Sequence, residues 1–80
     1  MPPVPLPLSH VPSGNKVKVV GLAGGREFQA RLLGMGVNVG CEISVIRACE
    51  GGPALVAVGA SRLAIGHGMA ARVMVRLARR

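Results

Sequence analysis

The side chains best suited to bind a transition metal in this chain are two cysteines and two histidines. They are Cys41, Cys49, His10 and His67. Metal sites built from such residues usually take pairs of ligands from short spacings, such as Cys-x-x-Cys or His-x-x-x-His. The chain has neither spacing. The sequence therefore predicts no metal site and no bound cofactor.

The two cysteines are also predicted to stay reduced. Cys41 and Cys49 bracket a stretch that the sequence predicts to be an extended strand. At about 3.3 Å per residue, such a stretch separates its ends by roughly 25 Å, whereas a disulfide requires Cα atoms about 6 Å apart. Reduced thiols are typical of cytosolic proteins, so we expect a cytosolic protein.

Catalysis is disfavoured by the distribution of the acidic residues. The three carboxylates, Glu27, Glu42 and Glu50, are far apart in sequence, and the chain has no aspartate. A nucleophile, a base and a residue to orient the base cannot be assembled from this set. With 80 residues, the chain also has little room for a deep cleft. We expect a protein that is not an enzyme.

The charge balance is strongly basic. Ten Lys and Arg residues against three acids give a net charge of +7, spread from Lys16 to Arg80. Dispersed cations are typical of a solvated surface, and they also suit an acidic protein, the anionic inner leaflet of a membrane or nucleic acid. Proteins that bind single strands stack bases on aromatic side chains, and the only aromatic residue here is Phe28. Non-specific nucleic-acid binding therefore remains an alternative that the composition disfavours.

One short helix is predicted after Gly25, which can serve as its N-cap. Phe28, Leu32 and Met35 follow at positions i, i+4 and i+7, which is one apolar stripe on a helical period. Gly34 and Gly36, on either side of Met35, allow the helix to end without steric cost. We expect Phe28, as the only aromatic residue, to lie at the centre of the core.

The rest of the chain predicts short strands separated by glycine-rich turns. Five segments alternate or are apolar in the manner of half-buried strands, and in the last of them Val73, Val75 and Leu77 are predicted to point inward. The predicted strands are residues 15–22, 41–48, 54–58, 62–66 and 72–77. This pattern, with one helix after the first strand, predicts a mainly β fold that closes into a small barrel.

The first seven residues are predicted to be a tail outside the domain. They include four prolines, which favour an extended, polyproline-like conformation. Pro2 and Pro5 have the spacing of a ligand for proline-binding domains, but a frayed terminus is the favoured interpretation. The segment lacks the features of a signal peptide, and no window of the chain is apolar enough to span a membrane. The predicted domain is residues 8–80.

Several apolar side chains are predicted to point away from the core. They are Leu33, Val37, Ile46 and Met74. Apolar residues beside basic ones form a surface suited to an acidic protein partner. The candidate partner-binding residues are therefore Leu33, Val37, Arg72, Met74 and Arg76.

The ordered motifs of the chain resemble those of a known family. Arg31-Leu32-x-x-Met35-Gly36-x-x-x-Gly40, followed by a hairpin, is similar to the signature of the FeoA family of bacterial ferrous iron uptake. The flanking segments, from Leu8 to Leu77, resemble the rest of the pattern. One departure is Val39, where the family often has proline before the turn glycine.

The resemblance implies both a fold and a role. The fold would be an SH3-like barrel. The role would be that of a cytosolic accessory to FeoB, a membrane transporter with a cytosolic GTP-binding part. The same domain also occurs in iron-dependent repressors, so work with a repressor stays open as an alternative. Homo-oligomerisation also stays open.

Overall fold

The structure, a computed structural model, describes residues 5–78. Its strands are built mainly from segments in which apolar and polar residues alternate. Six strands and three short helical segments follow one another along the chain. In order, they are β1 (Leu6–Pro7), a 3-10 helix (Leu8–His10), β2 (Lys16–Leu22), α1 (Arg26–Gly34), β3 (Glu42–Arg47), β4 (Ala54–Val58), β5 (Ser61–Ile65), α2 (His67–Ala70) and β6 (Val73–Leu77). Each of the five predicted strands and the predicted helix is present, with bounds shifted by at most a residue or two.

The strands form one antiparallel sheet in the order β1-β6-β2-β3-β4-β5. Side chains on its inner face build the core, together with residues from the 3-10 helix, α1, α2 and the loops beside them. The buried core cluster consists of Leu8, Val11, Val17, Val19, Leu32, Val37, Ile43, Val45, Ala54, Val56, Ile65, Ala70, Val73 and Val75. This small, mainly β domain agrees with the predicted SH3-like architecture.

The prediction that residues 1–7 form a tail outside the domain is wrong for Leu6 and Pro7. Leu6 and Pro7 pair with Val75 and Met74 of β6 and form an edge strand. Proline is tolerated there because an edge strand has one side that needs no ladder hydrogen bond. The sheet therefore begins before the predicted domain boundary at residue 8. The proposed Pro2–Pro5 ligand motif lies largely outside the described residues.

Two other predictions about the core are wrong. Phe28 is only half-buried and packs at the edge of the core cluster, whereas Leu32 is the buried residue of α1. Leu77, predicted to point inward, has 48% of its surface exposed, because it is the last residue of β6 and lies at the margin of the sheet.

Val37, a predicted partner-binding residue, is fully buried, so its assignment to the surface is wrong. The reason is the way α1 ends. The N–H of Val37 donates to the carbonyl of Leu32 at 2.9 Å and that of Gly36 to Leu33 at 3.0 Å, while Gly36 has φ +90°. This is the Schellman arrangement, which folds the residue after the glycine back against the helix.

Candidate functional site

The surface beside α1 carries the most exposed large apolar side chains of the described residues. Leu33 is 59% exposed and Val39 is 55% exposed. Both line an open groove of about 350 Å³, which we call the α1 groove. Its lining residues are Leu22, Arg26, Gln29, Ala30, Leu33, Asn38 and Val39.

The helical side of the α1 groove follows from the helical period. Arg26, Gln29, Ala30 and Leu33 recur at intervals of three or four residues and so share one face of α1. Because Leu32 is rotated by about 100° from Leu33, it enters the core while Leu33 stays in solvent. Burial of Leu32 therefore fixes the direction in which Leu33 points.

The other side of the α1 groove is a tight turn held against β2. The N–H of Cys41 donates to the carbonyl of Asn38 at 3.1 Å, and Gly40 has φ +98°, as a type II turn requires at its third residue. The N–H of Gly40 donates to the carbonyl of Val19 at 2.7 Å, and the N–H of Val39 donates to Asn38 Oδ1 at 2.8 Å. These hydrogen bonds hold the backbone of the turn in place, while the Val39 side chain is exposed to solvent.

The opposite flank of α1 forms a second, smaller depression. Arg31 and Glu27 line it with Met69, and the Arg72 guanidinium lies 5.8 Å from the centroid of the Phe28 ring. A cation at this distance is attracted to the aromatic face. Phe28 therefore serves to position Arg72 as well as to cover the edge of the core.

Gly24 allows the Phe28 ring to lie where it does, and a substitution there tests this arrangement. A Cβ at Gly24 would lie 2.7 Å from Phe28 Cγ and 3.0 Å from its Cβ. We expect Gly24→Ala to lower the free energy of unfolding by about 1–3 kcal/mol, since the ring must leave its packed position. Gly34→Ala is the matched control, because no atom lies within 4 Å of its added Cβ, and it should stabilise α1 by about 0.5–1 kcal/mol. Urea unfolding of both variants measures this, and equal stabilities would contradict the packing described.

The structure does not bring the predicted partner-binding residues together. Leu33 lies in the α1 groove, Arg72 lies over Phe28 on the other flank of α1, and Val37 is in the core. Met74 is half-buried between Pro7 of β1 and Gly21 of β2, its partners in the two neighbouring strands. Arg76 lies beside Lys18 on the outer side of the sheet.

Sequence reasoning missed Val39 as an exposed apolar residue. The signal was present in the turn itself, since the residue before the glycine of a type II turn occupies a corner of the chain.

Groups of three or more His, Cys, Asp or Glu side chains able to hold a metal are absent from residues 5–78. Both cysteines carry free thiols.

Comparison with known proteins gives a consistent assignment. The model of the FeoA domain family matches residues 6–77. A protein of Methanocaldococcus jannaschii assigned as Fe(2+) transport protein A is 36% identical over 69 residues, which is 86% of this chain and 83% of that protein.

Solved structures share the fold. A crystal structure of the iron uptake regulatory protein FeoA has a TM-score of 0.85 at 40% identity, covering 94% of this chain and 99% of that one. A manganese-dependent transcriptional repressor reaches 0.87 at 16% identity, covering 96% of this chain but 43% of the repressor, and this likeness shows the fold alone. A match over almost the whole chain, by family model, relative and structure together, leads to one conclusion: the chain belongs to the FeoA domain family.

Proposed function

We propose that this protein is an accessory of ferrous iron uptake that acts by binding, and that the α1 groove docks on the cytosolic GTP-binding part of an FeoB-type transporter. The observation that carries the proposal is the pairing of Leu33 and Val39 across the α1 groove. Both are held by ordered backbone, and both are more than half exposed. Exposed apolar side chains that converge on one groove are typical of a protein-binding site.

The chemistry of the α1 groove indicates the partner's complementary features. Its one charged lining residue is Arg26, and no acidic residue lines it. We therefore expect the bound segment to place an apolar side chain between Leu33 and Val39 and a carboxylate near Arg26. Such an apolar centre with a charged rim is the usual composition of a protein interface.

The proposal replaces the surface that the sequence favoured. Val37 is excluded by burial, and Met74 is partly covered by β1. Within residues 5–78, no helix has the length and apolar character needed to cross a bilayer.

Leu33→Gln tests the docking. Removal of the Leu33 side chain from a buried interface should weaken binding of the transporter's GTP-binding domain at least tenfold, because a fully buried leucine contributes about 1.5–3 kcal/mol. Leu77→Gln is the matched control, since Leu77 is also exposed but lies at the end of β6, outside the α1 groove. Isothermal titration calorimetry gives both affinities.

A heteronuclear NMR titration of the labelled domain, with and without guanine nucleotide, locates the contact. We expect the amide shifts to concentrate in α1 and in the turn at Asn38 and Val39. Shifts centred on the outer side of the sheet, or equal affinities for the two glutamine variants, would overturn the assignment of the α1 groove.

A further inference from the structure

Cations that are dispersed in the sequence lie together on one side of the sheet in the structure. Residues that alternate with the buried strand residues point outward, and strand pairing places them in rows. One row runs Arg76–Lys18–Glu42 across β6, β2 and β3, and the next runs Lys16–Ser44–Ala57–Arg62 across β2, β3, β4 and β5. We call the surface formed by these rows, with Ile46, Arg47 and Leu55, the outer sheet face.

A β-bulge extends the outer sheet face at one end. The register of β3 against β4 shifts between Val45 and Arg47, so that Arg47 pairs with Leu55 and Ile46 is the extra residue. A bulge sets two residues against one and re-aims their side chains. Arg47 and Ile46 are accordingly both exposed, Ile46 by 42%. This end of the outer sheet face therefore has an exposed apolar side chain, Ile46, next to an exposed basic one, Arg47.

The charge of the outer sheet face is one-sided. It carries Lys16, Lys18, Arg47, Arg62 and Arg76 against the single acid Glu42. Lys18 and Arg76 are direct cross-strand partners, and like charges in that position destabilise a sheet. Lys18 and Arg76 lie on strands about 4.8 Å apart, and Lys16 is two residues from Lys18 on the same strand. Both separations are within the Debye length of about 8 Å at physiological salt, so the potentials of these three cations add. A merely solvated surface would mix both signs.

We propose that the outer sheet face binds the surface of an anionic lipid bilayer. The small pair Ser44 and Ala57 lies at the centre of this face, where an open depression of about 510 Å³ also has Lys16 and Glu42 in its lining. A lipid surface is recognised through its charge and needs no enclosed pocket. Cations over such a surface are each attracted to acidic headgroups, and Ile46 beside Arg47 gives an apolar contact at the headgroup boundary, as peripheral membrane elements use.

Other classes of partner fit the outer sheet face less well. A specific protein interface is expected to centre on large, well-packed apolar or aromatic anchors, and these are absent from the middle of the face. Single-stranded nucleic acid stacks on aromatic side chains, and Phe28, the only aromatic residue, lies on α1. The outer sheet face and the α1 groove have no lining residue in common.

Vesicle sedimentation of the full chain tests the proposal. We expect binding to phosphatidylcholine vesicles that contain about one third phosphatidylserine, weakening as salt rises, and little binding to vesicles of phosphatidylcholine alone. Each cation removed from the outer sheet face should lower the partition coefficient about fivefold. The double variant K16Q/K18Q should therefore bind about 25-fold less.

A matched variant separates the outer sheet face from net charge. R31Q/R72Q also removes two positive charges, but from the flank of α1 opposite the α1 groove, and should lower vesicle binding by less than twofold. Equal losses in the two double variants would overturn the assignment, as would no binding to the anionic vesicles at low salt. Salt-sensitive binding to single-stranded RNA in the absence of vesicle binding would instead assign the face to nucleic acid. Thermal unfolding of each variant shows that the fold is retained, because all four residues are exposed.

Discussion

Replacing Val37 by aspartate is expected to unfold this domain at neutral pH. Val37 is fully buried in the core cluster, so the substitution removes an apolar contact of about 1.5–3 kcal/mol and places a carboxylate among aliphatic side chains. Burial of an unpaired charge costs several kcal/mol more. Small domains have total stabilities near the lower end of about 5–15 kcal/mol, so the sum removes most or all of the stability.

Val39→Asp is the matched control for this prediction. Val39 is two residues further along, chemically identical and more than half exposed. We expect its aspartate variant to keep the native far-UV circular dichroism spectrum and dispersed amide signals, whereas Val37→Asp loses both. A folded Val37→Asp protein would show that this residue is on the surface, as the sequence alone suggested. It would contradict the chain reversal at Gly36 that turns Val37 into the core.

Leu32→Ala is expected to lower the free energy of unfolding by about 2–5 kcal/mol. Leu32 is the fully buried side chain of α1, and a large-to-small change in a core loses the transferred methyl groups and leaves a cavity. The effect should fall at the upper end of that range. The helix contacts the core through this side chain, through half-buried Phe28 and through Met35, so few neighbours can move to fill the space.

Leu33→Ala is the internal comparison for Leu32→Ala. The two leucines are consecutive in the same helix, and Leu33 is exposed, so its change should shift stability by no more than about 0.5 kcal/mol. Chemical denaturation of both variants gives the difference directly. Equal effects would mean that α1 is rotated from the orientation described, and the α1 groove would then lose its basis.

These four substitutions also separate folding from docking. Leu32 and Val37 stabilise the fold from inside, whereas Leu33 and Val39 face the α1 groove. A variant at Leu33 or Val39 that binds the transporter's cytosolic part weakly is informative because its fold is intact. Loss of binding in Leu32→Ala would carry no such information.

The sequence by itself determined most of the architecture. Alternation in segments such as residues 72–77 gave the inward positions of Val73 and Val75 because a strand turns successive side chains to opposite faces. Gly36 gave the end of the helix, and the family motif from Arg31 to Gly40 gave the likeness to FeoA. Each of these features depends on neighbours in the chain, which are visible in a sequence.

Which residues lie at the margins of the sheet and the core could be determined only from the tertiary structure. Leu6 and Pro7 look like a tail until β6 supplies their partners. Leu77 has the correct phase for burial, but it is the last residue of β6 and about half of its surface stays exposed. Phe28 has the composition of a core residue, yet its place at the margin is set by Gly24 and Arg72. These outcomes depend on which distant segment lies nearby.

The candidate surfaces were decided in the same way. Val37 was predicted to be exposed, but the left-handed Gly36 before it reverses the chain and turns Val37 inward. Lys16, Arg62 and Arg76 are far apart in sequence and come together because the strand order sets β6, β2, β3, β4 and β5 side by side. Residue type and spacing therefore determined which side chains are available, and long-range strand pairing decided which of them share a surface, because contacts across a sheet have no fixed separation along the chain.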